Sequence, residues 1–434
     1  MATISEEYKM EERKTLKRDN ARQILLIFVC WLVYTASYLG KYCYSCNLNG
    51  IMGYYGVSHA DAGLVSTMFF FAYGAGQIIN GILCRRYNAR FIITFSLFVS
   101  AGINLAMFFL PPFFALKYLW LLNGFSLSFL WSVISAVLSK CLSDENLKKA
   151  VVIMSVCTPA GTFLAYLLGA LFAKVNFFNL SFLIGAITLF ASGALWFLCY
   201  GKLTRGKIYG KSEEISDKNV APAANSEVLL ATENYSAEKR NAMVTLVFLG
   251  VFAVINNLVK DGLSTWMPSV LKEKYELSES GSIALSLALP FLSVFGAFVA
   301  TKINDKVKNF VFTSVIFFAV SAMLMPVIIW VDFGGFVLPL CVFAFIALLM
   351  TAVNSVVTAM APMYMRNFFF SGMLAGILNG CCYLGSTISS YGLGKLADEF
   401  GWNAVFIIIF AFCIAAVFIG GVYFIFKKQK NINR

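Results

Sequence analysis

From Ile24 to Leu39 the chain carries no charged residue, and a run of this kind returns along nearly its whole length. A segment that crosses a bilayer needs about 20 predominantly apolar residues. By that measure the sequence contains twelve spans, near 24–50, 61–84, 91–110, 117–140, 150–173 and 180–200, then 241–270, 283–303, 309–331, 336–360, 371–396 and 402–426. Only 13% of the 434 residues are charged and 59% are hydrophobic, against about 25% charged in soluble domains. With no water to satisfy backbone groups inside lipid, spans of this length must be helices. The expected fold is all-α and integral to the membrane, with the lipid bilayer as its surroundings.

Charge placement gives the orientation. Lys and Arg collect at 1–22, 85–90, 140–149, 201–240, 302–308 and 427–434. The intervening connections are poor in them: 47–60 and 331–336 have none, and 174–180 has Lys174 alone. Basic loops stay on the cytoplasmic side, so both termini and the 201–240 segment are expected there, in a plasma or inner membrane. The net charge of +12 is thus a topology signal, and no nucleic-acid partner is expected. Residues 1–22 read as a mixed-charge cytoplasmic leader with no cleavable signal peptide. A six-span bundle, 23–201, is followed by a polar flexible loop, 202–240, a second bundle, 241–427, and a short tail, 428–434. Two sets of six spans that start on the same side suggest parallel repeats.

Charges inside the spans are few: Lys41, Lys260 and Asp261. Such a residue costs roughly 3 kcal/mol on insertion scales and marks function by default. Lys41 lies 19 positions beyond Arg22, and Lys260 lies 20 beyond Arg240, a matched depth in the two halves. Two ammonium groups converging on one small anionic substrate explain the match; snorkelling of each to the interface is the bland reading. Asp261 adjoins Lys260, but neighbouring helical positions do not face each other, so the two need not pair. Tyr38, Tyr73, Gln77, Trp131, Asn257 and Tyr383 offer polar or amphipathic groups within the spans. Ser58 and Asp61 have the spacing of a helix cap.

Several functions are disfavoured. The 11 cysteines are scattered through the apolar runs and form no Cys/His cluster, so no metal site or cofactor is expected. His59, the single histidine, stands alone in an external loop without a nucleophile to activate, so the chain does not read as an enzyme. There is no GxxxxGK[ST] phosphate loop, which argues against ATP-driven transport by this chain alone.

At this point the residues resemble the major facilitator superfamily, and within it the organophosphate:phosphate antiporters. The matching pieces are Tyr38-Leu39-Gly40-Lys41, Arg86-x-Asn88-x-Arg90, Asn123-Gly124 through Trp131, Leu258-Val259-Lys260-x-Gly262-x-x-x-Trp266-x-Pro268, Gly372-x-x-Ala375-Gly376, Tyr383-Leu384-Gly385 and Asp398-x-Phe400-Gly401-Trp402. The resemblance implies twelve helices in two pseudo-symmetric bundles, alternating access, a monomer, and exchange of a sugar or glycerol phosphate for inorganic phosphate. It places Lys41 and Lys260 where the family carries two phosphate-gripping arginines. Gln77 stands for a lysine, Thr158 for a histidine and Arg85 for an aspartate, while Asp305-Lys306 keeps the loop pattern. Arg85, Arg86, Arg90, Asp305 and Lys306 are then gate or packing contacts. Lysine binds phosphate without the bidentate fork of arginine, so a carboxylate or other monoanion fits as well as a sugar phosphate. Two other readings stay open: a proton- or sodium-coupled carrier of another solute, with both lysines paired to Asp261, and a transporter-like anion sensor.

Overall fold

The structure, a computed structural model, describes residues 2–83, 86–205, 226–331, 335–365, 369 and 371–432. The described residues are helical almost throughout. The first half comprises α1 (Ala2–Cys46), α2 (His59–Leu83), α3 (Ala89–Phe108), α4 (Phe113–Cys141), α5 (Glu145–Lys174) and α6 (Leu180–Thr204). The second comprises α7 (Ser226–Glu273), α8 (Glu279–Val307), α9 (Phe310–Trp330), α10 (Val337–Met360), and a final helical run, Ser371–Ile432.

That last run is one membrane crossing by helix count and two by conformation. Gly401 interrupts it with φ 77° and ψ 175°, a backbone region essentially closed to other residues. The break divides it into α11 (371–400) and α12 (402–432). Among the described residues twelve crossings result, as the apolar runs predict, so α1 begins and α12 ends on one face. We call this the terminal face and its opposite the far face.

Local chemistry sets the helix ends. The Ser58 hydroxyl accepts from the Asp61 N–H at 3.1 Å, so the predicted cap of α2 is present. Asn88, Ser278 and Asn309 accept from backbone N–H groups at the starts of α3, α8 and α9 in the same way. Pro112 opens α4, where the missing N–H costs nothing. Inside the spans, α4 is interrupted at Ser128 and α5 at Val156, and α10 ends in a wide π turn at Val356–Met360. Large apolar side chains such as Phe95, Leu198 and Phe418 point outward, as a lipid-facing surface requires.

Within the expected leader 1–22, α1 runs from Ala2 unbroken into the first span. In the 202–240 loop, α6 extends to Thr204 and α7 begins at Ser226, with 206–225 outside the described residues. The stretch after Ser226 is rich in Glu, Leu, Ala and Lys, and helix propagates from the span into it more easily than it would nucleate alone.

The two halves meet along α2 and α11. A methyl group at Gly63 would collide with the Ser390 carbonyl, and one at Gly74 would lie 2.8 Å from Tyr383 Cβ. Glycine at these positions lets the backbones approach closely. Hydrogen bonds between the halves collect from mid-membrane to the far face. Ser269 donates to Asn49 Oδ1 at 2.7 Å, Ser280 to the Ala170 carbonyl at 2.8 Å, Thr67 to the Thr387 carbonyl at 2.9 Å, and Tyr166 to the Ser264 carbonyl. These bonds hold the halves together toward the far face.

Candidate functional site

Lys41 lies at the seam of the halves, with 6% of its surface exposed. Its ammonium sits 4.8 Å from the centroid of the Tyr383 ring and 5.0 to 5.6 Å from those of Tyr38, Tyr42, Phe69, Phe70 and Tyr73. Ring faces carry negative electrostatic potential, so this cage stabilises the cation without neutralising it. The one hydrogen bond of the ammonium goes to the Tyr383 hydroxyl at 3.5 Å. No carboxylate lies within ion-pair distance of it among the described residues. Three helices build the cage: α1 supplies Tyr38 and Tyr42, α2 supplies Phe69, Phe70 and Tyr73, and α11 supplies Tyr383. Tyr73 and Tyr383 also pack against each other across the halves, with centroids 4.5 Å apart.

Lys260 has a different setting. Its ammonium pairs with Asp261 Oδ1 at 3.4 Å, and this corrects the expectation that neighbours on a helix need not meet. The lysine stem is long enough to turn back toward the buried carboxylate, which would otherwise lack a counter-ion. The other oxygen of Asp261 accepts from the Ser386 hydroxyl at 2.5 Å and from Asn257 Nδ2 at 3.3 Å. Asn257 in turn donates to Ser386 at 3.2 Å and accepts from Asn256 at 3.1 Å. Asp261 Oδ1 has the ion pair but no hydrogen bond of good geometry.

The other expected site residues divide. Gln77 is buried on α2, donates to the Ser128 carbonyl at 3.1 Å, and leaves its own carbonyl oxygen without a partner. Trp131 stacks on Tyr34 at 5.1 Å, and Tyr34 meets the Tyr38 hydroxyl at 3.5 Å, so it supports the cage from behind. Thr158 is half-buried on α5; its backbone carbonyl accepts from Thr162 at 2.8 Å. Arg90 is a packing residue: its guanidinium lies 4.1 Å from the centroid of the Phe197 ring and Nε donates to the Phe197 carbonyl at 3.0 Å. Arg86, Asp305 and Lys306 are exposed, and Arg85 lies outside the described residues.

A second cluster of charge stands at the far face, where the sequence reading left His59 alone. His59 opens α2 between two carboxylates of the other half, with Nδ1 2.6 Å from Asp398 Oδ1 and Nε2 2.8 Å from Glu273 Oε1. Asp398 also accepts the backbone N–H groups of His59 and Ala60, at 3.1 and 2.8 Å, and so caps a helix of the opposite half. Trp402 donates to Glu273 Oε2 at 2.9 Å. An imidazole satisfies two carboxylates only when both nitrogens carry hydrogen. The signal was in plain view, since Asp398 and Trp402 belong to one of the segments that carry the family resemblance. The cage rings Tyr42, Phe69 and Phe70, and the anchor Ser386, were also missed; single aromatics are too common in this chain to stand out.

A buried cation at the seam of two six-helix bundles is the plan of a secondary transporter, and comparison with known proteins agrees. Residues 30–390 match the model of the Major Facilitator Superfamily, and the chain belongs to that family. It is 22% identical over 427 residues to a membrane sensor protein of Escherichia coli, UhpC, covering 94% of this chain and 92% of that one. It is 23% identical to sugar phosphate exchanger 3 of Xenopus laevis, covering 82% and 78%. Among solved structures, an inward-facing bacterial homologue of the human lysosomal transporter Spinster superposes with a TM-score of 0.72 at 13% identity, covering 93% and 97% of the two chains. The family is one of membrane transporters and not of enzymes, and the resemblance to organophosphate:phosphate antiporters stands.

Proposed function

We propose that this chain carries small organic anions across a membrane by alternating access, exchanging an organophosphate such as a sugar or glycerol phosphate for inorganic phosphate. The observation that carries the reading is the Lys41 ammonium: buried, enclosed by rings, and without a carboxylate beside it. Burial of an unpaired charge is costly, and an anion entering between the halves supplies the missing counter-ion. Lys260, Asn257 and Tyr383 reach the same region from the second half, so one ligand touches both and favours closure around itself. Tyr38, Tyr73, Gln77, Trp131 and Thr158 shape the space. The names of the exchanger relatives support sugar phosphates as the substrate class. In this reading the chain acts as a monomer, with its terminal face toward the cytoplasm of a plasma or inner membrane.

A sensor that binds the same anion without moving it is the second reading, favoured by the relatives named as membrane sensors. Flux separates the two. Proteoliposomes loaded with phosphate are given labelled glycerol-3-phosphate, glucose-6-phosphate and a panel of carboxylates. Saturable uptake that needs internal phosphate, and is lost in Lys41→Ala, supports exchange. Binding without uptake supports the sensor. Carboxylate uptake alone moves the substrate class.

A further inference from the structure

The charge of the ligand follows from the charge of the site, on the reading that the site takes an anion. Among the described residues, the buried charged side chains are Lys41, at 6% exposure, and Asp261, at 3%; Lys260 stands beside them with its side chain 19% exposed. Ser386, Asn257 and Lys260 all approach Asp261 as donors. The Lys260 ammonium and the Asn257 amide nitrogen can only donate, and the contact with Lys260 is one between ionised groups. The rings around Lys41 and the amide and hydroxyl around Asp261 are neutral. Two cations and one anion leave the cluster with a single net positive charge.

In a low-dielectric interior, residual charge is what the complex must avoid. A ligand with one negative charge brings the cluster to neutrality. A dianion leaves one negative charge over, beside a carboxylate that is held in place by three donors and cannot turn away. We propose that this site selects singly charged anions: a monoprotonated phosphate ester, a phosphodiester, a sulfate ester or a monocarboxylate, ahead of the dianionic phosphate ester. Asp261 is the residue that sets the choice, because its carboxylate cancels the charge that Lys260 would otherwise offer to the ligand.

Pairs of esters that share shape and differ by one charge test this. At pH 8 glucose-6-phosphate and glycerol-3-phosphate are dianions, because the second phosphate proton leaves near pH 6. The matching sulfate esters carry a single charge. Binding to the purified full-length chain is measured by calorimetry at that pH. The wild type is expected to bind the sulfate esters at least about tenfold more tightly than the phosphate esters, a difference of about 1.4 kcal/mol. Asp261→Asn raises the site charge to +2 and is expected to reverse that order. Lys260→Met combined with Asp261→Asn returns it to +1 and is expected to restore the wild-type order. The proposal is overturned if the wild type binds the phosphate esters equally or better, or if folded Asp261→Asn keeps the wild-type preference. Should Asp261→Asn not fold, the wild-type ratio and the double variant decide the matter. If neither pair binds at all, the organophosphate reading itself falls, and this proposal with it.

Discussion

Lys41 and Lys260 stand at matching sequence positions in the two halves, yet they are provided for in opposite ways. Lys260 brings its own counter-ion one residue along the chain. Lys41 has six rings and a hydroxyl at 3.5 Å, and its charge is left uncancelled. A pseudo-symmetric scaffold therefore holds an asymmetric site. The first half offers a cation that waits for an anion, and the second offers a neutral, hydrogen-bonding pair.

The largest expected effect comes from removing the waiting cation. Lys41→Ala should weaken anion binding by two orders of magnitude or more, since loss of one member of a buried charge pair costs about 2–5 kcal/mol. Thermal unfolding without ligand should be unchanged or slightly improved, because a costly buried charge has gone. The wild type alone should then gain stability when anion is added. A Lys41→Ala chain that binds at wild-type strength would make the cage a packing feature.

Breaking the pair on the other side is expected to cost slightly less. Lys260→Met leaves the buried Asp261 carboxylate without its ion-pair partner and takes the net charge of the cluster to zero, so uptake should fall roughly 30- to 100-fold on the same scale. Adding Asp261→Asn should recover most of that loss, and should recover only part of the loss in Lys41→Ala, where the freed Lys260 charge stands in for the one removed. Equal rescue of both would erase the asymmetry.

At the far face the effect is smaller. His59→Ala removes a cation held by Glu273 and Asp398, and rim pairs open to water contribute about 1 kcal/mol or less. Hydrogen exchange at the far ends of α2 and α11 should quicken by about fivefold. The same loosening is expected of the wild type as pH rises and strips the ring of its second hydrogen, and it should be absent from the variant. Smallest is Tyr383→Phe, which keeps the ring over Lys41 and deletes one long hydrogen bond; affinity should fall about two- to threefold.

Much of this architecture was legible because lipid imposes a simple rule on sequence. Twelve apolar runs became twelve crossings, and the charges found inside them, Lys41, Lys260 and Asp261, are the charged groups of the candidate site. The cap at Ser58 was legible for a similar reason, since its chemistry is local. What escaped was long-range. The Lys260–Asp261 pair depends on a lysine rotamer that helical spacing does not encode. The clamp on His59 joins residues 339 positions apart in the chain, and nothing near His59 announces Asp398. The cage has the same origin: its rings come from three helices, and only their packing tells Phe69 and Phe70 apart from the many phenylalanines that face lipid.

Gly401 carries a consequence of a different kind. The apolar run around it, Met373–Lys427, has 55 residues, and as one straight helix it would extend roughly 80 Å, more than twice the hydrocarbon thickness of a bilayer. One residue in a conformation reserved for glycine turns that rod into a hairpin. No neighbouring atom would obstruct a side chain there, so backbone torsion alone excludes one. The charged residues Lys395, Asp398 and Glu399 already part the apolar run in two, and the glycine supplies the backbone turn that lets the second part fold back beside the first.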